Sequence, residues 1–220
     1  MVKKTAEQIA ERREEIVNAC EKLYQTISFK DLTLKEIGSE VPFSRPTIYN
    51  YFQTKEEIFL ALFQREYERW NGDLAAVLQQ NETLGKRELA GKIAGTLADR
   101  VQLLKLLSMN NYDMEANSRI ELLTDFKKAY GRSIRLVCEI LMKFCPEMTE
   151  ADRQNVILIF FPFMFGIYPY AAVTEKQRVA MREAGVDYVY QSVYEITGNC
   201  LIQLLDGKQA SQHKAKKEME

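Results

Sequence analysis

Apolar residues recur every three or four positions along nearly the whole chain, a spacing that gathers them on one side of an α-helix. Ile9, Ile16, Cys20, Leu23 and Ile27 form such a stripe and predict a first helix from about Thr5 to Tyr24. Leu34, Ile37 and Val41 predict a short second helix from Thr33 to about Glu40. Ile48 and Phe52, four apart, give the inner face of a third. Longer stripes follow: residues 55 to about 80 with Ile58, Leu62, Tyr67, Trp70, Leu74 and Leu78, and residues 86–108 as one helix or a broken pair. After the polar stretch "NNYDMEANS", Ile120, Leu123, Phe126, Tyr130, Ile134, Val137 and Leu141 predict a helix to Phe144, ended by Cys145-Pro146. A kinked apolar helix over 149–173 and a last helix over about 184–205 complete an all-α plan.

Local signals mark where these helices begin. Thr5 with Gln8, Thr33 with Glu36 and Thr54 with Glu57 fit the capping box, in which a hydroxyl meets the N3 amide and an acid or amide reaches back. Pro42 and Phe43 stop the second helix, Ser44 is placed to cap the third, and Pro46 is tolerated because it lies in the first turn.

Residues 33–52 therefore read as helix, tight turn, helix, the plan of a helix-turn-helix whose second helix enters the major groove. Arg45, Thr47, Tyr49, Asn50 and Tyr51 are expected to face outward on it. Arg45 suits a guanine edge or a phosphate. Ser44 and Thr47 are short donors near the groove floor, and Tyr49, Tyr51 and Lys55 suit flanking phosphates, helped by the amides opening the next helix.

Charge at first argues against nucleic acid, because the formal net charge is −1. Residues 1–55 hold nine Lys/Arg and eight Asp/Glu, nearly neutral as well. The acids, however, concentrate in the first helix (Glu7, Glu11, Glu14, Glu15, Glu21), whereas 42–55 holds two basic residues and no acid. Potential within a Debye length of roughly 8 Å is what a phosphate feels.

Other chemistries lack their residues. The single histidine, His213, sits in the polar tail, so neither a zinc site nor a histidine base for a Ser or Cys nucleophile is expected, and no cofactor is implied. Cys20, Cys138, Cys145 and Cys200 are scattered and read as reduced core residues of a cytoplasmic protein. "LGKRELAGKIAG" has glycines at the wrong spacing for a phosphate loop. The stretch 156–173 approaches the length of a membrane span, but Pro162, Gly166 and Pro169 and the lack of a basic flank favour a buried core helix and no membrane.

"LTLKEIGSEVPFSRPTIYNYFQTKEEIFLALF" resembles the N-terminal domain of the TetR/AcrR family of bacterial one-component regulators. The likeness rests on Thr33, Ile37, Ser44, Thr47, the Tyr49 position, the "YNYF" ending and the Thr-Lys-Glu start of the fourth helix; it covers about the first 60 residues. It implies a helix-turn-helix head (1–55), a larger helical ligand-binding and dimerisation domain (56–207) and a polar tail (208–220). It also implies a homodimer on a near-palindromic double-stranded DNA operator, usually a repressor released by a small molecule. By resemblance Thr33, Ser44, Arg45, Pro46, Thr47, Tyr49, Asn50, Tyr51 and Lys55 fall where members touch DNA. Ser28, Pro42 and Pro46 stand where members often have Gly; Pro46 can pack on a thymine methyl but cannot donate a hydrogen bond.

In the larger part, "FFPFMFGIYPY" (160–170) reads as core or dimer face before it reads as a ligand box. Met109, Tyr112, Met114, Phe126, Tyr130, Phe165 and Tyr168 are the candidates to line a cavity for a large hydrophobic or aromatic effector, with Trp70, the lone tryptophan, as its reporter or as a plain core anchor. Two competing readings stand beside this one: a ligand-independent nucleoid or cell-division protein on the same fold, and an all-α enzyme, which the missing histidines disfavour.

Overall fold

A computed structural model describes residues 5–109 and 111–207. The polar tail at 208–220, with His213, lies outside the described residues. Among them there are eleven helices and no strand: α1 (Ala6–Tyr24), α2 (Leu34–Ser39), α3 (Arg45–Ile48), α4 (Lys55–Gln80), α5 (Lys86–Ala98), α6 (Val101–Leu107), α7 (Asn111–Ala116), α8 (Ile120–Phe144), α9 (Glu150–Ala171), α10 (Glu175–Glu183) and α11 (Val193–Asp206).

The chain forms two compact units: the described residues of Met1–Glu66 with Asn110–Tyr130, and those of Tyr67–Met109 with Gly131–Glu220. The boundary expected at residue 55 lies inside the first unit, which also takes in a segment more than forty residues further along the chain.

In the first unit, α1 opens on the full Thr5–Gln8 capping box and α2 on the Thr33–Glu36 box. The inward stripe of α1 is Ile16, Val17, Cys20 and Tyr24; Ile9, expected to belong to it, is 41% exposed because it lies about two turns before the packed part of the helix. Tyr24 and Phe29 both set their ring edges against Phe59, at centroid distances of 5.0 and 4.8 Å. With Leu32, Ile37, Ile48, Phe52, Ile58 and Leu62, all fully buried, they make the core under α2 and α3. Within the polar stretch "NNYDMEANS", for which no helix was expected, lies the short α7, and Ile120, expected inward, is 67% exposed at the first turn of α8. Phe126 of α8 packs on Phe63, 4.9 Å between rings.

In the second unit α11 lies against α5 and α9, and α6 against α9. The α5–α11 contact is close because its residues are small: a Cβ on Gly198 would sit 3.8 Å from the Cβ of Ala94, and one on Gly91 would meet the Tyr194 hydroxyl at 2.9 Å. The 86–108 segment is the broken pair, interrupted at Asp99–Arg100, where Arg100 grips Asp73 with two N–H groups at 2.6 and 2.9 Å. The last helix starts at Val193 rather than near residue 184. Gly185 takes φ +67°, which ends the unexpected α10, and the Ser192–Glu195 capping box sets the new start.

Helix α9, with mean hydropathy 1.3 over its best window, is long and apolar enough to cross a membrane by composition alone. One side of it (Val156, Phe160, Phe161, Met164, Ile167) is core, while Leu158, Ile159, Phe165 and Tyr170 on the other are 70%, 43%, 40% and 59% exposed. No disulfide joins the four cysteines, all of which are among the described residues, and burial pushes the Cys20 thiol up to about 12.

Candidate nucleic-acid interface

The turn between α2 and α3 is tight because Gly38 lacks a side chain: a Cβ there would lie 3.4 Å from Ile48 Cδ1 and 3.8 Å from the Cβ of Arg45. Ile48 and Phe52 anchor the inner side of α3, both fully buried. Arg12 and Arg13 of α1 stack on the rings of Phe43 and Phe52, each 4.7 Å from the ring centre, and so clamp the segment at both ends. Burial pushes the Arg13 guanidinium below its ordinary value, with Arg119 adding to the effect.

What this packing leaves outside is a compact polar set. Ser44, Arg45, Pro46, Tyr49 and Asn50 are exposed and Thr47 is half-buried. Ser44 stands at the N-cap position of α3, yet its hydroxyl makes no bond to the helix backbone and lies 3.0 Å from the Thr47 hydroxyl instead. The amides of this turn are thus not capped by that side chain, and an anion at a helix start is favoured electrostatically.

The remaining residues expected at the interface have internal engagements. The Tyr51 ring is 6% exposed and belongs to the core. Thr33 caps α2, accepting from the Lys35 amide and bonding Glu36. Lys55 donates to the carbonyls of Phe29 (2.7 Å), Leu32 (3.2 Å) and Lys30 (3.5 Å). The Thr54 box is half formed: Thr54 Oγ1 accepts from the Glu57 amide at 3.2 Å, but the Glu57 carboxylate turns to the Gln53 amide at 2.7 Å and to Arg119. Sequence reasoning saw Glu57 as a cap and missed Arg119, because an ion pair between residues 62 positions apart leaves no local pattern.

A helix-turn-helix with this exposed set occupies the part of the chain, residues 16–62, that matches the family profile of bacterial regulatory proteins of the tetR family. Residues 64–212 match the tetracyclin repressor-like C-terminal domain. The chain belongs to the TetR/AcrR family of bacterial transcriptional regulators.

Solved structures of other regulators share the fold. The fatty acid degradation regulator FadR from Bacillus halodurans is 16% identical, with 94% of this chain and 98% of that one covered and a TM-score of 0.58. The transcriptional regulator FadR from Bacillus subtilis, solved in complex with stearoyl-CoA, is 16% identical over 88% of this chain and 98% of that one, with a TM-score of 0.59. The MbdR regulator from Azoarcus sp. CIB is 16% identical over 88% and 97%, with a TM-score of 0.53. None of the curated proteins matches the chain.

The residues expected to line an effector cavity in this TetR-family chain divide between the units. Tyr112, Met114, Phe126 and Tyr130 belong to the first, Trp70, Met109, Phe165 and Tyr168 to the second. Tyr112 is 86% exposed, whereas Met114 and Phe126 are buried. Trp70 is fully buried, its indole N–H donating to Thr96 Oγ1 at 2.9 Å and its ring edge-on to Phe161 at 6.0 Å. A separate open cleft of about 490 Å³ in the second unit is lined by Arg178, Met181, Arg182, Tyr188 and Tyr190, none of them expected from the sequence.

Proposed function

We propose that this TetR-family regulator is a homodimeric repressor that reads a near-palindromic operator with α3 and releases it when a hydrophobic small molecule binds. The observation that carries the reading is the exposed set Ser44, Arg45, Pro46, Tyr49 and Asn50 with the half-buried Thr47 among them, on a stretch without an acid between Pro42 and Lys55. Arg45 and Asn50 are the base-reading candidates, Ser44, Thr47 and Tyr49 hold phosphate or sugar, and Pro46 packs on a methyl. Thr33, Tyr51 and Lys55 hold the reading segment in shape from within.

Dimerisation is assigned to α9. A helix apolar on both sides has to cover the second side, and a second copy related by a two-fold axis covers it with the same residues. Leu158, Ile159, Phe165 and Tyr170 supply that face. The effector is of the aromatic or long-chain kind; the stearoyl-CoA complex of the Bacillus subtilis protein supports this class. The setting is the cytoplasm, where operator DNA is found.

Footprinting of the DNA upstream of the protein's own coding region tests the reading. Two protected half-sites about one helical turn apart, lost on adding a hydrophobic effector, are expected. Uniform protection along the fragment would point instead to the nucleoid-type protein.

A further inference from the structure

Glu57 is 1% exposed, and a buried carboxylate needs partners for both its oxygens. They come from two distant parts of the chain. Oε2 accepts from the Gln53 amide at 2.7 Å and from Arg119 Nη2 at 2.9 Å. Oε1 accepts from Arg119 Nε at 2.7 Å and from the Arg119 amide at 3.1 Å. Nη2 also donates to the Tyr51 carbonyl at 3.0 Å, across 68 positions of sequence. Beside this, Thr54 Oγ1 donates to the Asn117 carbonyl at 3.0 Å. The backbone leaving α3 is therefore tied at Tyr51, Gln53 and Thr54 into one network with residues 117–119, all within the first unit.

Helix α3 needs such support. It is four residues long, too short for its own hydrogen bonds to hold it, and its N-cap hydroxyl does not help. Ile48, Phe52 and the Tyr51 ring fix its depth, and Arg12 and Arg13 stack on Phe43 and Phe52, but none of these ring contacts reaches the carbonyl groups at its exit. The Tyr51 carbonyl lies three residues past the last residue of α3, and the guanidinium that meets it is itself held by Glu57. A planar fork meets both oxygens of a carboxylate side-on while one of its nitrogens also serves a carbonyl; an ammonium has donors but not that bidentate geometry.

We propose that Arg119 is a positioning residue of the DNA-reading segment: locked on Glu57, it sets the exit of α3 and thereby the angle at which Arg45, Thr47, Tyr49 and Asn50 are presented. The proposal rests on the reading of that segment as the DNA interface. It puts part of the DNA-reading apparatus beyond residues 16–62, in the region matched by the C-terminal domain.

The test uses the full chain with Arg119→Met, Arg119→Lys, Glu57→Gln and the double variant Glu57→Gln/Arg119→Met. Without DNA, amide hydrogen exchange is followed along the first unit. In Arg119→Met the amides of 49–54 are expected to exchange about tenfold faster while those of Ile16–Tyr24 keep their rates. Equal acceleration in both would mean that Arg119 merely stabilises the fold, and would overturn the proposal. With DNA, affinity for the upstream duplex is expected to fall about tenfold while affinity for a scrambled duplex and the salt slope stay unchanged. The double variant is expected to be no weaker than Arg119→Met, and Arg119→Lys to restore little. A salt slope reduced by about one would make Arg119 a phosphate contact instead and overturn the positioning role. If the wild type fails to tell the duplexes apart while exchange still shows the tie, the DNA reading is what has failed, and the positioning role falls with it.

Discussion

The ammonium of Lys55 lies 2.7 Å from the carbonyl oxygen of Phe29 and 4.4 Å from the centre of the same residue's ring. One side chain at the start of α4 thereby closes the loop between α1 and α2. Lys55→Met leaves the carbonyls of Phe29 and Leu32 without this donor and is expected to cost about 2 kcal/mol of stability. The salt slope of DNA binding is expected to change by less than one ion. Urea unfolding and a salt titration of DNA affinity check the two halves; a slope lowered by a full unit would return Lys55 to the phosphate contacts.

Arg45 and Tyr49 are exposed, with Tyr49 at 47%, so their replacement removes little packing. Arg45→Ala and Tyr49→Ala are each expected to weaken operator binding by about 1–3 kcal/mol while moving the unfolding midpoint by less than about 0.5 kcal/mol. Parallel unfolding and binding titrations on the purified variants separate the two effects.

Gly38 sets how closely α3 approaches α2. Gly38→Val places branched carbons where a bare Cβ is already 3.4 Å from Ile48 Cδ1, so Ile48 and α3 must move outward. A loss of about 1–3 kcal/mol and weakened operator binding are expected. Full stability and affinity in this variant would show that the α2–α3 contact is looser than described.

Glu57 carries a pH dependence. Burial alone would raise its carboxyl, but the hydrogen bonds from Arg119 and from the Gln53 amide outweigh that, and it sits below its ordinary value. A carboxyl depressed in the folded state contributes stability above its unfolded pKa of about 4.3 and loses it as pH falls through the folded value. Stability is therefore expected to drop on acidification below about pH 5, and Glu57→Gln, weaker at neutral pH, is expected to show a shallower drop. Denaturant unfolding across that range measures both slopes.

For α9, the exposed row beginning at Leu158 is the expected contact between copies. Leu158→Glu leaves the described core untouched and is expected to give a folded monomer with operator affinity reduced by at least about tenfold, because two linked heads bind more tightly than one. Sedimentation equilibrium and circular dichroism together check this.

The head was legible in the sequence because its signals are local. Capping boxes at Thr5 and Thr33, the Pro42 stop and the Ile48–Phe52 pair each lie within a few residues, and each has its counterpart in the fold. The helical period also carried α4, α8 and α9. It failed where an apolar residue lies beyond the packed part of a helix, as with Ile9 and Ile120. It failed again where a polar helix has no inward stripe: α10 has no buried residue, so nothing periodic announced it. The tie of Arg119 to Glu57 was invisible for another reason. Long-range partners are set by the folded path of the chain, and single positions of Arg and Glu among 30 basic and 31 acidic residues carry no mark of pairing.

The central claim is that the Ser44–Asn50 surface reads operator DNA. Fluorescence anisotropy of a labelled duplex from the upstream region, against a scrambled duplex at two salt concentrations, tests it most directly. Binding to the upstream duplex is expected to be tighter by about a thousandfold or more and to weaken steeply as salt rises. Equal, weak binding to both duplexes would contradict it.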